Sequence, residues 1–91
     1  MTPEDAPDKP IVIYTTRICP YCVAAKRLLA GLGVPFDEVD LTADPELRVR
    51  LSEATGWRTV PMVFVEGRLI GGYDDLQALV RAGGLAHLRG S

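Results

Sequence analysis

The chain has 91 residues, 47% of them hydrophobic and 24% charged, with a net charge of −2. That length holds one domain, near the lower end of what folds without metals or cross-links. The slightly acidic balance and scattered arginines exclude a basic face for nucleic acid, and no apolar run approaches the roughly 20 residues that span a bilayer.

The opening "MTPEDAPDKP" is acidic and proline-rich and lacks the charged-then-apolar plan of an export signal. We expect residues 1–9 to be a disordered lead-in and 10–91 to be the folded domain. We expect a reducing, cytoplasmic compartment, where a purely structural disulfide is disfavoured.

"IVIYT" (11–15) is apolar on both faces, as in a central strand covered on both sides. From Cys22 onward, Ala25, Leu28, Leu29 and Leu32 recur at helical spacing, and Gly33 and Pro35 stop the helix. "FDEVDL" alternates as a second strand, which makes a βαβ unit with parallel strands. A second helix starts with Asp44 as N-cap and Pro45 at its first position; Leu47, Leu51 and Ala54 form its buried stripe, and Gly56 ends it. "MVFV" and "RLI" are joined by Glu66-Gly67, a link short enough only for an antiparallel hairpin. A third helix is expected to be capped near Asp74, with Leu76, Leu79 and Val80 inward and Gly83-Gly84 closing it; "LAHL" adds a short turn. The fold class is α/β, with a four-stranded mixed sheet flanked by helices.

The only two cysteines, Cys19 and Cys22, stand in "CPYC" where the first helix begins. Structural zinc needs about four side-chain ligands, more than these two and the lone His87 supply. Covalent haem attachment needs histidine directly after the second cysteine, and Val23 is there. A staple across two residues closes too small a loop to stabilise much. A redox couple fits the local physics. Free backbone N–H groups and the macrodipole at a helix start favour a thiolate on Cys19, and thiols so placed titrate at about 3.5–7.5 against about 8.5 when free. Pro20 holds the turn where its missing N–H would be an orphan anyway. Cys22, one turn in, is the less exposed thiol and resolves a mixed disulfide.

"CPYC" at 19–22, "TVP" at 59–61 and "GGYDD" at 71–75, in that order on those elements, resemble the glutaredoxin family of the thioredoxin-like fold. The tryptophan that precedes Cys-Gly-Pro-Cys in ordinary thioredoxins is absent. The resemblance implies that Pro61 is cis and that the Val60 backbone, beside Thr59, pairs strand-like with bound glutathione. It also implies that Gly71 and Gly72 admit the γ-glutamyl end of glutathione, held by Tyr73, Asp74 and Asp75 at the start of the third helix. Tyr21 lines the same groove.

Two positions depart from the family pattern. Thr16 stands where lysine is common, and Trp57 where glutamine or arginine is common; both positions normally hold the glycine carboxylate of glutathione. Arg58 and Arg17 are the available cations, with Arg58 expected to grip that carboxylate and Arg17 also able to act on the Cys19 thiol.

The activity that the resemblance implies is glutathione-dependent thiol–disulfide oxidoreduction by a monomer. Glutathione is the co-substrate, glutathionylated or disulfide-containing proteins are the partners, and glutathione reductase acts indirectly. Two alternatives stay open: a redoxin reduced directly by thioredoxin reductase, and an iron–sulfur carrier in which two chains and two glutathiones hold a [2Fe–2S] cluster through Cys19.

Overall fold

A computed structural model describes residues 10–88, so the lead-in expected at 1–9 lies outside them. The strand β1 (Ile11–Thr15) is buried along its whole length because different helices cover its two faces. Ile11 and Ile13 pack with Ala25 and Leu29 of α1 (Pro20–Leu32) and with Leu76 of α3 (Tyr73–Arg81). Val12 and Tyr14 pack on the opposite face with Leu47 and Leu51 of α2 (Pro45–Thr55). The two-residue period of a strand thus divides the core into two halves around one sheet.

With β2 (Phe36–Asp40), β3 (Met62–Val65) and β4 (Arg68–Gly71), the sheet order is β2-β1-β3-β4. β1 and β2 are parallel, with Ile11 opposite Phe36, and α1 is the crossover that parallel pairing requires. β1 and β3 are antiparallel, with Tyr14 opposite Met62. The β3–β4 hairpin turns on Glu66 and Gly67, whose φ values of 50° and 85° are both left-handed, as a two-residue primed turn demands.

The helix ends follow local chemistry. α1 stops at Gly33 in the left-handed region, with φ 70°. At the start of α2, Asp44 Oδ1 accepts from the Leu47 N–H at 3.1 Å. Two expectations need correction. Ala54 is exposed, since α2 packs through Leu47 and Leu51 and its last turn contributes nothing to the core. And α3 is capped at Gly72, not near Asp74, because the carboxylate that closes its first turn reaches back from Asp75. After Arg81, Gly83 (φ 77°) reverses the chain and the Gly84 N–H bonds the Leu79 carbonyl at 2.9 Å. That brings Leu85 into the half-core under α1 and α3, ahead of a short 3₁₀ turn at Ala86–Leu88.

Candidate active site

Cys19 is the N-cap of α1, its backbone extended at φ −153°, with Pro20 in the first helical position. Cys19 and Cys22 are joined as a disulfide, their Cα atoms 5.2 Å apart. Cys19 Sγ also accepts from the Cys22 N–H at 3.1 Å. When the pair is reduced, that donor and the helix dipole both favour negative charge on Cys19. Access differs as well: Cys19 is 8% exposed and Cys22 only 1%. Cys19 is therefore the more accessible residue of the pair.

The loop that aims Cys19 is tied to the next connection. The Arg17 N–H donates to Thr42 Oγ1 at 2.7 Å, the Thr42 N–H to Asp40 Oδ1 at 2.8 Å, and the Leu41 N–H to the Thr15 carbonyl at 2.8 Å. The Thr42 hydroxyl and N–H, helped by the charges of Arg17 and Lys26, hold the Asp40 carboxyl below the usual aspartate range. Thr15 Oγ1 donates to Glu38 Oε2 at 2.6 Å, and Lys26 Nζ meets the same oxygen at 3.0 Å, which ties α1 to β2. Thr42 and Asp40 are absent from the sequence reading. Their signal is the D-x-T spacing at a strand end, where an aspartate side chain bonds its own backbone two residues on.

On its other side, Cys19 Sγ lies 3.8 Å from the Val60 carbonyl oxygen. The Val60–Pro61 peptide is cis, and buried Pro61 directly precedes β3. Beside this contact runs a groove of about 450 Å³. Thr59, Val60 and Pro61 line it together with Gly72, Asp74 and Asp75 from the start of α3. Tyr21 and Tyr73, both in its lining, have ring centroids 6.1 Å apart. Asp75 Oδ2 accepts from the Gly72 N–H at 3.0 Å. A side chain at Gly71, whose φ is 125°, would run into that carboxylate, so glycine is required there.

Trp57 also lines the groove, close enough that a Cβ on Gly72 would lie 3.4 Å from its ring. Its Nε1 is buried and makes no hydrogen bond among the described residues. The two arginines expected at the site are not brought to it. Arg58 lines a separate depression with Arg48, Ser52 and Glu53 of α2. Trp57 and Thr59 line the groove, and Arg58, between them, lines the depression beside α2. Arg17 is absent from the groove lining, and its charge acts on Asp40 at the end of β2.

The family model for glutaredoxin matches residues 11–70. A glutaredoxin of Pseudomonas aeruginosa is 50% identical over 76 residues, covering 84% of this chain and 90% of the relative. Glutaredoxin 3 of Escherichia coli is 43% identical over 75 residues, covering 82% and 90%. Among solved structures, a buckwheat glutaredoxin–glutathione complex superimposes with a TM-score of 0.82 at 32% identity, covering 88% of this chain and 76% of the other. The fold is thioredoxin-like, with a reactive disulfide at a helix start beside a cis-proline groove. The chain belongs to the glutaredoxin family, the glutathione-dependent thiol–disulfide oxidoreductases.

Proposed function

We propose that Cys19 is the attacking thiol, Cys22 the resolving one, and the groove the seat of the glutathionyl group. The observation that carries this reading is the position of Cys19 Sγ, between the Cys22 N–H at 3.1 Å and the Val60 carbonyl at 3.8 Å, at the edge of the groove.

In deglutathionylation, the Cys19 thiolate attacks the glutathionyl sulfur of a protein mixed disulfide. The old S–S bond breaks and the protein leaves as a thiolate that takes a proton from solvent. A glutathione thiolate then attacks the Cys19 mixed disulfide, giving glutathione disulfide and restoring the Cys19 thiolate. With a protein disulfide, Cys19 forms the mixed disulfide and Cys22 attacks its Cys19 sulfur, closing the Cys19–Cys22 bond and releasing the reduced protein. Two glutathiones reopen it, and glutathione reductase recycles their disulfide.

The groove suits such a ligand. The backbone at Val60 pairs with the tripeptide as an added strand, flanked by Thr59 and Pro61. N–H groups at the start of α3, at Tyr73 and Asp74, take the γ-glutamyl carboxylate, and Asp75 takes its ammonium. Tyr21 covers the cysteine moiety. Such a cycle needs a reducing compartment, in keeping with a monomeric protein of the cytoplasm. The deciding experiment is glutathione-dependent reduction of a small mixed disulfide by the wild type, Cys19→Ser and Cys22→Ser. Only Cys19→Ser should be inactive; activity retained by Cys19→Ser would overturn the assignment.

A further inference from the structure

The depression beside α2 measures about 370 Å³ and is lined by Arg48, Val49, Ser52 and Glu53 of that helix and by Arg58. Two guanidinium groups meet one carboxylate there. Among the described residues the salt bridges are Lys26–Glu38 and, when His87 is protonated, His87–Glu66, so neither arginine is paired. The depression thus keeps a positive balance in a chain whose net charge is −2. Guanidinium groups beside a serine hydroxyl suit a carboxylate, which accepts two parallel N–H donors at once.

Apolar exposure leads to the same place. Among the described residues the large hydrophobic side chains left exposed are Ile18, Tyr21, Val23 and Val49. The first three flank Cys19 in the chain, and Val49, 55% exposed, lines the arginine depression. One such residue is ordinary on a surface, but a hollow that joins arginine to exposed apolar carbon has the make-up of a docking point. It also lies close to the reacting sulfur. Cys19 Sγ is 3.8 Å from the Val60 carbonyl oxygen. Arg58 is two residues back along the chain from Val60, at most roughly 7 Å of extended backbone.

We infer that this depression docks the protein half of a mixed disulfide, and that it selects substrate proteins carrying a carboxylate side chain a few residues from the target cysteine. The inference rests on the proposed role of Cys19 and adds a recognition site outside the groove. The transfer itself is unchanged: Cys19 bonds to the glutathionyl sulfur, the old S–S bond breaks, and the substrate cysteine leaves as a thiolate. A protein of negative net charge repels an acidic peptide as a whole, so a preference for one has to come from local positive charge.

The test uses the Cys22→Ser protein, which stops at the first transfer, and two glutathionylated cysteine peptides. They are identical except for glutamate or glutamine a few residues to either side of the cysteine. The second-order rate of glutathionyl transfer to Cys19 is measured for both, and for the mixed disulfide of glutathione with mercaptoethanol, at low and high salt. At low salt the glutamate peptide should react about three- to tenfold faster than its glutamine twin, a ratio that falls towards one as salt rises. In Arg48→Gln/Arg58→Gln the ratio should drop to about one while the mercaptoethanol disulfide reacts as before. Arg68→Gln/Arg81→Gln removes the same charge from β4 and α3 and should leave the ratio in place. A ratio near one before any arginine is changed overturns the inference and leaves the role of Cys19 standing. So does a ratio that survives the Arg48/Arg58 change, or one lost equally in both double variants. If the mercaptoethanol disulfide passes no glutathione to Cys19, the proposed function itself falls and takes the inference with it.

Discussion

The Gly72 N–H donates to Asp75 Oδ2 at 3.0 Å, so the first residue outside α3 and a carboxylate in its first turn close on each other. One side chain thereby caps a helix and puts negative charge at the groove.

The two roles separate by substitution. Asp75→Ala should raise the KM for glutathione roughly tenfold or more, for loss of a charge-assisted bond. It should also lose about 1 kcal/mol of capping, a fall in Tm of about 4–8 °C for a domain of this size. Asp75→Asn keeps an acceptor oxygen for Gly72 and should raise KM with a much smaller fall in Tm. Steady-state kinetics and thermal unfolding of both variants check this; equal KM in both variants and wild type would leave Asp75 a capping residue.

Cys19 should be the thiol that iodoacetamide labels at neutral pH, since it is the more exposed and the one that accepts the Cys22 N–H. Peptide mapping after brief alkylation of the reduced protein should find the label on Cys19, with Cys22 protected. Faster labelling of Cys22 would exchange their roles.

Thr42 should matter to a cysteine that no contact places it beside. Its hydroxyl accepts from Arg17 N–H, two residues before Cys19. Thr42→Val hands that exposed donor to water, at a cost of about 0.5–1.5 kcal/mol. The expected result is slower transfer to Cys19 and slower alkylation of it, both restored by Thr42→Ser. A fall in stability with no change in the alkylation profile would mean a structural role only.

Asp40 supplies an acid-dependent stabilisation. Its carboxyl titrates below its ordinary value, chiefly through the Thr42 hydroxyl and N–H and then the charge of Arg17. A depressed value in the folded state means the ionised form is favoured by folding. The contribution is therefore fully present above the unfolded value of about 3.9 and is lost as pH falls through the lower folded value. Comparing Tm against pH for wild type and Asp40→Asn should show a gap at neutral pH that closes below about pH 4. A gap independent of pH would assign the difference to packing.

Arg58→Ala should leave the KM for glutathione within about twofold, because its side chain lies in the depression beside α2. Thr16→Lys, by contrast, adds a cation to the loop ahead of Cys19 and should lower the KM, more so at low salt. A marked rise in KM for Arg58→Ala would show that the arginine swings into the groove when glutathione binds.

The element order, the parallel pairing through α1 and the hairpin at Glu66-Gly67 are all legible in the sequence, since each rests on a local rule: apolar period, crossover length, turn chemistry. The "CPYC", "TVP" and "GGYDD" segments do converge on one groove. Side-chain direction beyond regular elements is not legible. Whether Arg58 or Trp57 faces the groove depends on the backbone just ahead of the cis Val60–Pro61 bond, where no hydrophobic period fixes the phase. The start of α3 differs from expectation for a related reason. An aspartate in a first turn reads as an N-cap, yet Asp75 acts from inside the helix on the N–H of Gly72. The exposed Ala54 reflects where α2 leaves its half of the core, which helical spacing does not encode.

Trp57 is the only tryptophan of the chain, and it stands in the wall of the groove with an indole N–H that finds no partner among the described residues. Indole emission responds to polarity, to nearby charge and to sulfur, so the protein carries its own optical probe in the wall of the groove. Excited at the red edge of the absorption band, clear of the tyrosines at 21 and 73, that single fluorophore gives ligand affinity and transfer rates in real time, without a label and without a coupled enzyme.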